Sequence, residues 1–169
     1  MQQCLWPANR RASSRGFTLL ELVVTLGVAA VLASVAVPGF VGFVQNNRAT
    51  ANTNEIVTAL NLGRSEATLR GAPVLVCSSS DGVSCSGEGD WSDGWVVLAP
   101  NDEVVRTWPA RSAPGVLAGD VDQVQFQPRG SVAAGTTLRV RVPDCIGDQG
   151  RDVRVNVAGR VSVTRVDCG

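Results

Sequence analysis

The sequence contains no histidine, no tyrosine and no lysine, so all 15 of its basic residues are arginines. The absence of histidine removes the most frequent general base and the most frequent metal ligand. The chain also lacks a phosphate-binding loop and a glycine-rich dinucleotide fingerprint. Its acidic residues occur in turn-like segments, without the paired setting that acid–base chemistry uses. We therefore expect a protein that is not an enzyme and that holds no cofactor or metal.

Charge is almost absent from residues 17–37, the longest apolar segment of the chain. Glu21 is its one charged residue, and Thr25 and Ser34 are mildly polar. As a helix, this segment would measure about 30 Å, the thickness of the hydrocarbon core of a bilayer. Arginines precede the segment, and the next one follows only at Arg48. This bias places the N-terminus in the cytoplasm and predicts a single pass through the bacterial inner membrane, with the remaining chain in the periplasm.

The polar leader, residues 1–16, precedes the apolar segment and carries Arg10, Arg11 and Arg15. In an ordinary secretory signal, cleavage follows the apolar region and releases the protein. Here the Gly16–Phe17 bond precedes that region. Cleavage at this bond would remove the leader and leave the apolar helix attached to the protein.

Glu21 is a costly residue in a membrane helix. One interpretation is that its side chain lies close enough to the interface to reach water. In the other, its carboxylate pairs with the amino terminus that cleavage would create at Phe17. That amino terminus could belong to the same chain or to a neighbouring copy in a helical bundle.

The residues Gly16, Phe17, Thr18, Leu19 and Glu21, placed directly before the apolar segment, closely resemble the class III signal of type IV pilins and type II secretion pseudopilins. The resemblance implies that prepilin peptidase cuts between Gly16 and Phe17 and that Phe17 is N-methylated. It also implies that Glu21 helps the subunit to dock with other pilins or pseudopilins through the N-terminal helix.

Cysteine occurs five times, and the predicted topology separates one cysteine from the other four. Cys4 lies in the leader, on the reducing side of the membrane. Cys77, Cys85, Cys145 and Cys168 lie beyond the apolar segment, in a compartment where disulfides persist. Proximity in sequence favours Cys77–Cys85 and Cys145–Cys168 among the three possible pairings. A metal site is the alternative, although the spacing matches no zinc pattern.

Helical periodicity continues beyond the apolar segment. Pro38 and Gly39 should kink or loosen the helix without ending it. Small and apolar residues then recur at three- and four-residue spacing. They form one narrow stripe at Ile56, Leu60, Gly63 and Ala67. Gly71 is expected to cap the helix, and Pro73 prevents its continuation.

The pattern after Pro73 changes to β-branched residues with a period of two. Strands are expected at 74–77, 95–98, 104–108, 121–126, 137–142, 151–157 and 161–166. Asn101–Asp102 suits a hairpin turn, as does the segment 128–130. The fold class is therefore α+β and pilin-like, with one long N-terminal helix on antiparallel β-sheet. The chain divides into a leader (1–16), a transmembrane half-helix (17–37), a periplasmic half-helix (38–71) and a β-rich domain (72–169).

The β-rich domain also carries a family resemblance. The residues that carry it are the runs 74–77, 93–98 and 155–161, with Cys85, Trp91, Phe126, Gly130 and Cys145. They look like the GspH/FimT family of pseudopilins and minor pilins. The resemblance implies a helix wrapped by β-sheets and a minor subunit near the tip of a type IV pilus, with DNA uptake as a role of some members. The alternative that it implies is the H-type pseudopilin of a type II protein secretion system.

Acidic residues are concentrated between Cys77 and Asp122, where eight of them stand against two arginines. Four lie in the loop from 78 to 94: Asp81, Glu88, Asp90 and Asp93. A calcium site is conceivable there, but the spacing is not that of an EF-hand, and a solvated acidic loop is the simpler interpretation. Near the end of the loop, Trp95 is expected in the core and Trp91 as a lid over the sheet edge.

From Gln123 to the C-terminus, seven arginines stand against four acids. A three-residue loop at 158–160 would pair Val157 with Val161 and would place Arg154 on the face opposite the valines. Five arginines are candidates for contact with DNA phosphates: Arg139, Arg141, Arg154, Arg160 and Arg165. The Gly-Arg-x-Arg motif of DNA-binding relatives is not completed after Gly159. A solvated, charged sheet face is the alternative interpretation.

Overall fold

The computed structural model of the chain describes residues 16–87, 89–110, 116–143, 145 and 147–168. Most of the predicted leader, with its arginines and Cys4, lies outside the described residues, and so does Glu88 of the acidic loop. The chain divides between Gly39 and Phe40 into two compact units. The first contains the start of a helix, and the second contains the rest of that helix and all the described strands.

The helix α1 extends over Leu19–Arg70. Its helical residues continue past Pro38 and Gly39, as the sequence predicts. After Arg70, Gly71 has a φ of 63°. Glycine adopts this left-handed conformation without a Cβ penalty, which suits the position that follows a helix. Arg70 in the last turn is also favourable for the negative end of the helix dipole.

Eight strands follow α1 within the described residues. They are β1 (Val74–Ser78), β2 (Gly94–Ala99), β3 (Glu103–Pro109), β4 (Val116–Gly119), β5 (Gln123–Phe126), β6 (Thr136–Arg141), β7 (Gly150–Val155) and β8 (Val161–Val166). Short 3-10 turns at Pro100–Asp102 and Gly147–Gln149 precede β3 and β7. The strands form two antiparallel sheets of four, sheet A in the order β3-β2-β1-β5 and sheet B in the order β4-β6-β7-β8.

The core joins α1 to both sheets. Ile56, Leu60 and Ala67 from the predicted stripe of α1 are fully buried. They share one apolar cluster with residues of sheet A, such as Val76 and Phe126, and of sheet B. The helix and both sheets therefore contribute to a single main core.

Two features of the sheets differ from the sequence-based expectation. Strand β4 was not predicted, because its four residues end in Gly119 and are too few to show a period of two. The segment 128–130 does form a turn, since Gly130 N–H donates to Gln127 O at 2.7 Å. It is not a hairpin turn, however, because β5 and β6, which flank it, belong to different sheets.

Candidate functional site

The N-terminal end of α1 is capped by its own sequence. Thr18 Oγ1 accepts a hydrogen bond from Glu21 N–H at 3.1 Å, and Thr18 O accepts one from Leu22 N–H. Thr18 is therefore the N-cap, and Glu21 lies in the first turn, where the helix dipole favours a carboxylate. The spacing Thr-x-x-Glu is a helix-start signal that a search for the cleavage motif alone overlooks. Phe17 precedes the cap and is 80% exposed.

The part of α1 that follows this cap exposes apolar side chains in every direction. Leu19, Leu26, Val35 and Phe43 are all more than half exposed. A window of 18 residues in this helix has a mean hydropathy of 2.3, and none of it is buried. By length and composition, α1 is long and apolar enough to cross a membrane. Such a surface requires lipid or other apolar helices around it.

The four described cysteines form two disulfides, Cys77–Cys85 and Cys145–Cys168, with Cα–Cα distances of 5.6 and 5.7 Å. These are the pairings that proximity in sequence favours. The first joins buried β1 to the acidic loop. The second joins the segment before β7 to the end of the described chain, where Cys168 N–H also donates to Gly147 O at 2.9 Å.

The acidic loop is organised by its own hydrogen bonds. Asp81 accepts from the Ser84 hydroxyl at 2.6 Å and from the backbone N–H groups of Val83 and Ser84. These bonds hold the pKa of Asp81 well below the usual carboxyl range, and the bond from the Ser84 hydroxyl has the largest effect. Among the described residues, no group of three or more acids, cysteines or histidines is placed to hold a metal ion.

Trp91 is not a lid, and the expectation for this residue was wrong. It is fully buried in the main core cluster, and its Nε1–H donates to Val121 O at 3.0 Å. The unpredicted strand β4 explains the difference, because Gly119 N–H donates to Gly89 O and brings this strand beside Trp91. Trp95 is buried, as expected, and stacks with Trp108 at a centroid distance of 6.3 Å.

Three of the predicted DNA-contacting arginines share the outer face of sheet B. Arg139 and Arg141 alternate along β6 with buried residues, and Arg154 does so along β7. Each has a carboxylate within 4 Å. Arg139 pairs with Asp120 at 2.6 Å, and Asp152 lies 3.4 Å from Arg141 and 3.9 Å from Arg154. These carboxylates therefore offset most of the positive charge on this face.

Arg165 and Arg160 lie apart from these three. Arg165 pairs in register with Arg151, which places it on the opposite face of sheet B, 3.8 Å from Asp148. Arg160 lies in the loop after β7, where its N–H donates to Asn156 Oδ1 at 2.9 Å. The five candidates therefore do not form one continuous surface.

The terminal hairpin differs from its predicted register by two residues. Val155 pairs with Val161, and Val153 with Val163, so the loop covers residues 156–160. The longer loop is closed by Asn156, whose N–H donates to Arg160 O and whose side chain accepts from Arg160 N–H. A shift of two residues keeps each side chain on its predicted face, so Arg154 still points away from the valines.

Comparison with known protein families adds to this geometry. Residues 52–159 match the family described as type II transport protein GspH. Residues 11–37 match the prokaryotic N-terminal methylation motif. The chain belongs to the GspH family. The two matches together span the cleavage motif, the apolar part of α1 and most of the globular domain of this GspH-family protein.

The fold of the GspH-family chain is that of a pilin. It is similar to a crystal structure of the type IV minor pilin FimU of Pseudomonas aeruginosa, with a TM-score of 0.60 and 18% sequence identity. The alignment covers 75% of this chain and 99% of the FimU chain. A second crystal form of FimU gives a TM-score of 0.56 at 18% identity, covering 71% of this chain and 99% of FimU. The search of curated protein sequences found no match.

Proposed function

We propose that this protein is a minor pilin that takes part in assembly of a type IV pilus near the tip of the filament. Prepilin peptidase cuts between Gly16 and Phe17, and Phe17 is then N-methylated. Residues 17–37 hold the processed protein in the inner membrane until it enters the filament. Residues 38–71 continue the helix into the periplasm, where residues 72–169 form the globular domain.

The observation that supports this proposal most strongly is the start of α1. An exposed Gly16–Phe17 bond directly precedes the cap at Thr18, and the apolar helix follows with Glu21 in its first turn. Apart from the adjoining residues, a Cβ at Gly16 would meet no atom of the described residues within 4 Å. A requirement for glycine at this position would therefore come from the peptidase and not from the fold.

The proposal is tested by mass spectrometry of the protein isolated from the cell envelope. We expect an N-terminal methylated Phe17. Gly16→Glu should leave the leader attached, and Gly16→Ala should be the milder block. An uncleaved wild-type chain, or cleavage near Pro38 that frees a soluble domain, would contradict the proposal.

Glu21 provides a second test, which separates assembly from membrane insertion. A carboxylate in the apolar segment is best tolerated when it pairs with an amino terminus. Glu21→Ala should therefore insert normally but be missing from sheared filaments, whereas Thr25→Ala, its control on the same helix, should be incorporated. Loss of the Glu21 variant from the membrane itself would indicate a structural role instead.

The alternative is the H-type pseudopilin of a type II secretion system, which the description of the matching family favours. Deletion of the gene distinguishes the two. Loss of surface pili with normal protein secretion supports the pilus assignment, and the reverse supports secretion.

DNA capture would use the outer face of sheet B, where carboxylates already accompany Arg139, Arg141 and Arg154. Filament assembly is therefore the function that the geometry supports best.

A further inference from the structure

The buried side of α1 changes in character along the helix. From Ile56 onward it consists of apolar or small residues that pack into the core. Before that point the buried positions are Gln45, Ala49, Asn52 and Thr53. These residues offer little apolar area, so hydrophobic packing alone holds the first turns of α1 in the globular domain only weakly.

Hydrogen bonds from a distant part of the chain reach these first turns. Gln149 Nε2 donates to Gly42 O at 3.3 Å, and Arg151 donates to Asn46 Oδ1 at 2.6 Å. Gly42 and Asn46 are one helical turn apart on α1. We call these two contacts the polar clamp.

Arg151 is an unusual residue for the position that it occupies. The residue is 4% exposed, and it also donates hydrogen bonds to Asp148 O at 3.0 Å and Gly150 O at 2.9 Å. These two backbone oxygens and Asn46 Oδ1 are all neutral acceptors. Burial lowers the pKa of the Arg151 guanidinium. A buried cation is costly to retain, and the specific geometry that it imposes is one reason for a fold to keep it.

The segment that carries both donors is fixed at its two ends. On one side it continues into β7, which pairs with β6 and β8. On the other side, Cys145 is joined to Cys168, and Cys168 N–H donates to Gly147 O. Between these attachments lies the short turn Gly147–Gln149, from which Gln149 reaches α1.

We infer that the Cys145–Cys168 disulfide positions α1: it holds the Gly147–Gln149 turn in place, and the polar clamp, with one donor on this turn and the other at the start of β7, fixes the Gly42–Asn46 turn of the helix to the globular domain. Arg151 and Gln149 are then positioning residues that keep the domain in a defined register on its helix. This role goes beyond the proposed function and applies equally to a pilus and to a secretion machine.

Hydrogen exchange of the full-length protein in detergent micelles tests the inference. Arg151→Ala, and separately Cys145→Ser with Cys168→Ser, should each accelerate amide exchange in residues 42–50 by about tenfold, the loss expected for a hydrogen bond to a charged group. Exchange in residues 56–67 should stay slow in both. The controls are Arg154→Ala, on the opposite face of β7, and the pair Cys77→Ser with Cys85→Ser, which should leave residues 42–50 unchanged. Unchanged exchange in the clamp variants, or equal acceleration in the Cys77–Cys85 control, would overturn the inference.

Asn46→Ala keeps the inference testable if the Arg151 variant does not fold. This change removes only the acceptor on α1, and exposed Asn47→Ala is its matched control for helix propensity. Asn46→Ala should accelerate exchange in residues 42–50, and Asn47→Ala should not. The two changes can also be combined. If the disulfide acts through the clamp, Asn46→Ala together with loss of Cys145–Cys168 should accelerate exchange by less than the product of the two separate fold-changes. A fully multiplicative result would show that the disulfide does not act through Asn46.

Discussion

At Gly63, α1 lies in close contact with sheet A. A Cβ at this position would collide with Cγ2 of Val76 and would lie 3.4 Å from Phe126 Cδ2. Val76 belongs to β1, a central strand of sheet A, and is fully buried, so it has little room to move. The glycine therefore sets the distance between the helix and the sheet.

Gly63→Ala should lower the free energy of unfolding by about 1–2 kcal/mol, because overpacking outweighs the gain of roughly 1 kcal/mol in helix propensity. Gly39→Ala is the matched control, since its added Cβ would meet no atom within 4 Å in the described part of the chain beyond the backbone of its own helix. It should leave stability unchanged or raise it slightly. Denaturant unfolding of both variants in micelles measures the difference. If Gly63→Ala is more stable than wild type, β1 can shift at Val76 to accommodate the added methyl group.

Asp81 gives a prediction about pH. Its pKa is depressed in the folded state, chiefly by the Ser84 hydroxyl and the N–H groups of Val83 and Ser84. A depressed carboxyl pKa contributes stability above the unfolded value, near pH 4, and the contribution is lost as pH falls through the folded value. Asp81→Asn should therefore be less stable than wild type at pH 7, and the gap should shrink at pH 2.5. Exposed Asp93→Asn is the control. If the stability difference between wild type and Asp81→Asn does not depend on pH, the loss of stability comes from altered packing or hydrogen bonding and not from loss of the charge.

Residue roles were predictable from sequence where a local signal existed. The helix stripe at Ile56, Leu60 and Ala67 follows from spacing alone. Trp91 was misjudged because its environment depends on β4, which has no clear pattern of its own. Arg151 was expected at the start of a strand, and β7 does include it, but its burial was not predicted. Its acceptor on α1 is 105 residues away in sequence, and no local pattern encodes such a contact.

At the scale of elements, α1 and most strands follow from periodicity, whereas the connections between them do not. The end of α1 was marked by Gly71 and Pro73, and β8 has its predicted bounds. The hairpin register was wrong because side-chain closure by Asn156 lengthened the loop, an effect that a count of alternating residues does not detect. The division of the strands into two sheets was likewise not encoded locally, because it depends on pairing between strands that are distant in sequence, such as β1 with β5.

The two disulfides should contribute unequally to stability. They close loops with sequence separations of 8 and 23 residues. In the chain-entropy model these loops correspond to about 2.5 and about 3.4 kcal/mol. Loss of Cys145–Cys168 should therefore lower stability more than loss of Cys77–Cys85. Non-reducing peptide mapping verifies the pairings, and unfolding of the two double-serine variants compares their effects. A larger loss for the Cys77–Cys85 variant would indicate that the acidic loop protects a second, smaller apolar cluster, which Cys77, Val96 and Leu98 of sheet A form.

At the scale of the whole molecule, charge is balanced along the full chain and would be unbalanced after the proposed cleavage. The chain has 15 arginines and 15 acids, and the leader holds three of the arginines. Cleavage at Gly16 thus leaves side chains with an excess of three acids. On the outer face of sheet B, Asp120 and Asp152 accompany the arginines locally. Both the net charge and the local pairing oppose binding to a polyanion.

We therefore expect the protein from Phe17 onward, in nonionic micelles, to bind duplex DNA weakly, independently of sequence and with strong sensitivity to salt. Fluorescence anisotropy at low and moderate salt measures this, and Arg154→Ala with Arg160→Ala should weaken it further. The sharper test removes the compensating acids. Asp120→Asn with Asp152→Asn should raise affinity and steepen the salt dependence, because Arg139, Arg141 and Arg154 become free to contact phosphates.

The control for that variant has the same change in net charge elsewhere. Asp93 and Asp102 are exposed and lie beside strands of sheet A, so Asp93→Asn with Asp102→Asn alters the overall charge without freeing an arginine on sheet B. It should raise affinity only slightly. Equal gains in affinity in the two variants would show that DNA responds to net charge and not to this surface.

Binding that is tight in the wild type and insensitive to Arg154 and Arg160 would place the DNA contact on another part of the protein. If none of the proteins binds at low salt, the outer face of sheet B is a solvated surface, and assembly through α1 accounts for the protein without DNA.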